Sequence, residues 1–571
     1  MAGSDRDFDI VLRGGAVFDG TGAAPFEADV AVSAGRIVAV GKVSGAGREE
    51  IDARGKLVTP GFVDIHTHYD GQATWDARLS PSSNHGVTTV LMGNCGVGFA
   101  PCKPEDRDLL IRLMEGVEDI PEVVLAEGLP WNWETYPEYL DALEKRRFDM
   151  DVGAQLPHAP LRVYVMGERA ARLEPATADD VARMRALAAE AIAAGAFGFS
   201  TSQSFTHRTK AGEPTPTRDA TDAELIGISL GLKDAGAGLL QFVGDPTNPQ
   251  LWAMMKASGR PLSFSMGQAR QNVSTWRNTL RDLERARDEG LEMRAQVCAR
   301  PVGVLLGLEL TMNVFSLHPT YRAMEHLPLA ERVARLSDPG VRAALFAEEP
   351  GDDEVFDRQS LIDFDNMYPV ADVPDYEPMP DSAIGAVARE RRMRPQEVAL
   401  DQMLRAGGRG LIYVPFLNYF EGNLDAAHEM MVHPLTLSGL SDGGAHVGLI
   451  CDVSFPTSNL TLWTRDRTRG PKVGLAEMIR MQTWDTAAWM GLNDRGRVAP
   501  GLRADLNVID YDALTLYAPE VRWDLPAGGR RLVQRASGYV ATMVAGEVTY
   551  REGEPTGALP GRLLRSTSVA R

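Results

Sequence analysis

The chain has 571 residues, of which 44% are hydrophobic and 24% charged, and its formal net charge is −19. That length allows a large core and more than one domain. The acidic balance argues against general binding to a phosphate backbone, and no uninterrupted apolar run is long enough to cross a bilayer.

Four cysteines (Cys95, Cys102, Cys298 and Cys451) are sparse for this length and form no C-x-x-C pair. They predict reduced thiols, not a disulfide framework. With no apolar leader after Met1, the expected location is the cytoplasm. The expected partner is a small molecule, with no nucleic acid and no membrane. A homo-oligomer is compatible with the chain, although no interface can be read.

In chain order, residues 8–58 hold short apolar segments between Gly-rich turns, with strands expected at Ile10–Leu12, Asp29–Val32 and Ile37–Val40. Leu57–Ile65 reads as a short buried strand broken by Pro60 and Gly61. From there apolar strand-like runs alternate with amphipathic helices. Val87–Met92 precedes a helix at Ala178–Ala194, followed by Ala196–Ser200 and a helix at Ala220–Ala235. Further strand-like runs are Leu239–Val243, Pro261–Met266, Met293–Ala299 and Thr436–Asp442. The alternation favours parallel βα units. Residues 340–390, rich in Asp, Glu and Pro, look like an insertion or lid-like excursion. Strand-like segments return at Leu506–Ile509, Val540–Val544 and Glu547–Tyr550.

His66 and His68 stand two apart at the end of the first apolar run. On a strand, such residues point to one face, so both imidazoles can meet one divalent metal. A lone H-x-H is more often a pair of ordinary histidines, so its context matters.

That context is a set of separated motifs. Asp9–Gly20, Gly35–Gly41 and Val58–His68 near the start, and Gly496–Asp510 near the end, resemble metal-dependent amidohydrolases. Ser82–Pro101, Pro157–Arg162 and Gly195–Thr201 resemble the N-acyl-D-amino-acid deacylase branch. The resemblance implies an α/β fold: a distorted TIM (β/α)8 barrel with a small β-sandwich domain built from both termini. It implies residues 1–58 plus 485–571 for the sandwich and 59–484 for the barrel.

In such a barrel the reactive groups lie at the C-terminal strand ends. By resemblance, His66, His68, Cys95 and Asp442 are metal ligands, and Asp442 is also the proton shuttle. In that chemistry a metal acidifies water and a nearby carboxylate takes the proton. The Cys95 thiolate suits zinc. Relatives of this branch carry histidine ligands at the fifth and sixth strand ends. Here those runs, Gly238–Asp245 and Phe264–Gln268, hold no histidine. One zinc ion is therefore expected, with the second site missing or altered.

His207, on a polar loop after the fourth strand, and His446, four residues after Asp442, are candidates for the pocket wall. His158 closes a strand that begins near Val152. Arg162, Arg208, Lys210 and Arg300 are candidates for meeting a substrate carboxylate. His85 precedes its strand and reads as structural. Three functions compete: hydrolysis of a linear amide, most simply an N-acyl D-amino acid; hydrolysis of a cyclic amide, lactone or other carboxylic amide; and metabolite binding on a non-catalytic scaffold.

Overall fold

The computed structural model describes residues 7–351 and 361–566. The apolar run at 57–65 divides into two strands, Leu57–Pro60 and Phe62–Asp64, which belong to different sheets. Gly61 lies at the crossing, and a Cβ there would collide with the Thr88 side chain. Leu57–Pro60 runs parallel to Phe8–Val17 and antiparallel to Leu506–Ile509. The two ends of the chain thus meet in one nine-stranded sheet, around Leu12, Val30, Val58, Leu506 and Val508.

Phe62–Asp64 opens a parallel sheet with Val87–Met92 and Asp151–Ala154. A second parallel sheet has the order Thr436–Ser438, Met293–Val297, Leu262–Met266, Leu239–Val243, Gly198–Ser202, Leu156–Pro157. Every residue of Val87–Met92 and Gly198–Ser202 is buried. That is the signature of parallel strands covered on both faces. An isolated parallel bridge between Thr67 and Gly443 brings the edges of the two sheets together.

The helices start where their caps dictate. Ala178–Ala194 opens on a capping box, with the Thr177 hydroxyl accepting from Asp180 N–H at 3.2 Å and the Asp180 carboxylate accepting from Thr177 N–H at 2.8 Å. Gly195 ends it at φ 115°. The helix expected from Ala220 begins at Asp222, because the Thr221 hydroxyl accepts from Glu224 N–H and so caps it.

The stretch expected as an excursion is part of a packed unit. Tyr368–Pro369 pairs antiparallel with Ile412–Leu417, which pairs antiparallel with Val302–Leu306. Phe315, Leu345, Met367 and Ile412 share an apolar cluster beneath it. Residues 352–360 of that stretch lie outside the described residues. All four cysteines are free and buried. Among the described residues no helix is long and apolar enough to cross a membrane.

Candidate metal centre

Three chain segments converge just past their strands. Thr67 N–H donates to Leu91 O at 3.0 Å, His68 N–H to Gly443 O at 2.7 Å, and Asp442 N–H to His66 O at 3.2 Å. These bonds stitch the 66–68 segment between the segments that carry Cys95 and Asp442. Cys95, Asp442 and His446 adopt positive φ of 56°, 50° and 51°. For residues with a Cβ this costs roughly 1–2 kcal/mol each, and such strain gathers where side chains must be aimed. Gly93 and Gly96 make the Cys95 turn possible: a Cβ on Gly93 would strike the Gln155 backbone, and one on Gly96 would lie 2.9 Å from Thr201 Cα.

His66 and His68 are each 1% exposed. His66 Nδ1 lies 2.6 Å from Gln296 Oε1, which places the proton on Nδ1 and leaves Nε2 as a lone pair. That Nε2 is 3.3 Å from Cys95 Sγ and 3.4 Å from Asp442 Oδ1. His68 Nε2 is 3.7 Å from the same carboxylate oxygen. Asp442 Oδ1 is buried and accepts no hydrogen bond. The donor atoms of His66, His68 and Cys95 all lie within 4.8 Å of one another.

Burial sets the charges. It lowers the His66 pKa to about 4 against the opposing Gln296 bond, and it drives His68 well below its ordinary value. Both rings are neutral at pH 7, the form that binds metal. Burial alone lifts the Asp442 carboxyl to about 7, and burial with the Glu118 and Asp442 charges holds the Cys95 thiol well above its usual range. Two imidazole nitrogens, a sulfur and an orphaned carboxylate oxygen thus face one another. This donor set fits a divalent ion such as zinc.

Sequence reading missed several groups in this centre. Glu118, at the end of helix Arg107–Glu118, is 1% exposed. Its Oε1 lies 3.3 Å from His68 Nδ1 and its Oε2 lies 3.6 Å from His446 Nε2. Burial, then the Asp442 and Asp70 charges, raise its pKa well above normal. Gln241 Oε1 accepts from Cys95 N–H at 3.1 Å, so the fifth strand end props the Cys95 turn. Phe242 and Met266, in the runs without histidine, are buried in the main core.

Of the pocket candidates, His446 joins the centre: its Nε2 is 3.9 Å from Asp442 Oδ2. His207 is held by Ser202 Oγ at 2.9 Å from its Nδ1. Burial and the His66 charge lower its pKa to about 4, and its own charge acts on His68 and His446. His158 directly follows the strand Leu156–Pro157. It opens helix His158–Met166, and both ring nitrogens are taken, by Thr201 Oγ1 at 2.8 Å and Glu224 Oε1 at 3.0 Å.

Each cationic candidate already has a partner, Arg162 and Arg300 in the interior and Lys210 at the surface. Arg162 donates to Glu224 at 2.7 Å, Lys210 pairs with Glu115 at 2.7 Å, and Arg208 donates to Gly212 O at 2.8 Å within its own loop. Arg300 is 1% exposed, donates to Cys451 O at 2.6 Å and Asp452 Oδ1 at 3.1 Å, and stacks 3.8 Å from the Tyr376 ring centre. Arg300→Ala is expected to destabilise the fold by about 3–5 kcal/mol, because Asp452 is left as an uncompensated buried acid. Urea unfolding measures this. A variant of unchanged stability with only a raised KM would return Arg300 to the substrate pocket.

A model of the amidohydrolase family matches residues 49–550. The chain is 29% identical over 570 residues to an N-acyl-D-aspartate deacylase of Alcaligenes xylosoxydans xylosoxydans, covering 97% of this chain and 95% of that protein. The fold is similar to a solved N-acyl-D-glutamate deacylase of Bordetella bronchiseptica in complex with zinc and a phosphonate inhibitor, with TM-score 0.65, 23% identity, and 98% and 99% of the two chains covered. It is also similar to a D-aminoacylase structure with a binuclear metal centre, with TM-score 0.64, 24% identity, and 98% and 100% covered.

Proposed function

The chain belongs to the amidohydrolase family, hydrolases of carbon–nitrogen bonds other than peptide bonds, and we propose that it cleaves a linear amide of the N-acyl D-amino acid class in a metal-dependent reaction. The extended similarity to an N-acyl-D-aspartate deacylase supports that substrate class. The two parallel sheets are arcs of one distorted TIM barrel. Two links support this: the continuity of Asp151–Ala154 with Leu156–Pro157, and the Thr67–Gly443 bridge. Residues 59–484 form the barrel, and 1–58 with 485–571 form the second domain around the shared nine-stranded sheet.

His66, His68 and Cys95 would hold a divalent ion such as zinc, with Asp442 beside it. When bound, the ion supplies Lewis acidity toward the amide carbonyl and acidifies a water. Gln296 fixes the His66 tautomer so that Nε2 faces the centre. Asp442 takes a proton from the attacking water and returns it to the leaving nitrogen as the C–N bond breaks, giving a free acid and a free amine. The observation that carries this reading is Asp442 Oδ1, buried and unbonded, set against two imidazole lone-pair positions.

The test is a hydrolysis screen of zinc-loaded protein against N-acyl D- and L-amino acids and cyclic imides. Amine release from the D-series is expected. Turnover confined to cyclic substrates would replace the linear-amide reading with the cyclic one. One observation favours an amide without a carboxylate: Arg162 and Arg300 are buried on partners within the protein. Uncharged N-acyl amines therefore belong in the same screen.

A further inference from the structure

On the reading that the protein hydrolyses N-acyl D-amino acids, we propose that a cavity beside Asp442 receives the side chain carried on the leaving nitrogen, and that Asp452 selects a side chain ending in a neutral carboxamide. The cavity lies between the loop that follows Asp442 and the hairpin of Thr515–Leu525 with Gly529–Ser537. Val447, Ile450 and Leu532 give it apolar walls, and Asp442, Asp452 and Arg531 supply polar ones. The Leu532 N–H donates to Val447 O at 2.6 Å, which holds the hairpin against the loop. Asp442 returns the proton to the leaving nitrogen, so a group on that nitrogen is the part of the substrate that meets this wall.

The Asp452 side chain is 3% exposed, and its Oδ1 accepts from Arg300 at 3.1 Å. Its Oδ2 is buried with no hydrogen-bond partner. Native proteins rarely keep such an atom unless a ligand or water completes it. Across the cavity, the Arg531 guanidinium has five N–H groups. Four hydrogen bonds engage them, to both oxygens of Asp524, to Gln72 Oε1 and to Ser80 O, which leaves one Nη2–H. The cavity thus offers one acceptor and one donor.

Charge decides which group can use them. Arg300 offsets Asp452 at 3.1 Å, and Arg531 offsets Asp524 at 2.8 Å. An ammonium would add an unbalanced positive charge beside two guanidiniums, and a carboxylate would face Asp452. A hydrocarbon end would leave Oδ2 buried without a partner. A carboxamide is neutral, donates through its nitrogen and accepts through its oxygen.

The experiment compares kcat/KM of zinc-loaded wild type for the N-acetyl derivatives of D-glutamine, D-glutamate, D-lysine and D-methionine. Glutamine is expected to lead each of the others by about tenfold or more, because a site built to hydrogen-bond a group rejects analogues that leave it unpaired. Asp452→Asn keeps an oxygen for Arg300 and turns the other atom into an N–H donor. It is expected to lower the glutamine value and raise the glutamate value until their order reverses, with folding checked by circular dichroism. If that variant does not fold, the wild-type order stands as the test. Glutamate, lysine or methionine at or above glutamine in wild type overturns the carboxamide pocket and leaves amide hydrolysis standing. A folded Asp452→Asn that keeps the wild-type order, or that loses all four substrates equally as a purely structural residue would, also overturns it. Turnover of none of the four by wild type sinks the N-acyl amino acid reading together with this one.

Discussion

Asp442→Asn lowers kcat/KM by about 10²- to 10⁴-fold, the range for loss of a general acid–base group, while the protein keeps its tightly bound zinc. Asparagine preserves the size of the side chain and one oxygen, so the turn at φ 50° is retained. It cannot take a proton from water or return one to nitrogen. The position suits that work: burial alone lifts the carboxyl to about 7 in the metal-free protein, and a cation beside it favours the charged, proton-accepting form. The measurement pairs turnover on the substrate found in the screen with elemental analysis of the same sample. Turnover near the wild-type level in a zinc-loaded variant would remove Asp442 from the chemistry. Loss of turnover together with loss of all zinc would make it a ligand only.

The legible part of the centre was the part written as short local patterns. His66 and His68 share a strand end, and Cys95 and Asp442 each follow an apolar run in a glycine-rich turn. Such patterns survive without tertiary information, and the structure brings these four side chains together. Glu118 was hidden because it lies on a helix away from every strand end and meets His68 only in the fold. A signal was present: an acid in the last turn of a helix opposes the macrodipole, and this one directly follows Val117. Gln296 and Gln241 were passed over as polar residues on strands. Their value depends on His66 and Cys95, which arrive from far along the chain.

The failures share one cause. Arg300 reads as a strand-end cation, and His158 as a strand-end imidazole. Their partners Asp452 and Glu224 lie 152 and 66 residues away in sequence. No local pattern announces a buried pair of that kind. The crossing at Gly61 was partly legible: Pro60 and Gly61 marked a break, but only the pairing shows that the break separates two sheets.

Removing zinc is expected to abolish turnover and to lower the thermal midpoint by an amount that grows with pH between about 5.5 and 7.5. The sign follows from which groups must lose protons. In the metal-free protein burial raises the Asp442 pKa from 3.8 to about 7 and lifts the Cys95 thiol well above its usual range. The folded apo protein therefore holds more protons than the unfolded chain between 3.8 and about 7, and the Asp442 contribution to its stability falls as pH rises through that window. Zinc binds the deprotonated forms, so its affinity rises with pH, by about tenfold per unit for each proton released. At a zinc concentration near 100 Kd the stabilisation is about 2.7 kcal/mol. His66 adds nothing to this slope, because its pKa of about 4 keeps the ring neutral across the range. Paired thermal melts of zinc-loaded and chelated protein measure the gap, and Asp442→Asn is expected to flatten its pH dependence. A gap that narrows toward pH 7.5 would mean that the ligands are not the protonated Asp442 and Cys95 of the apo state.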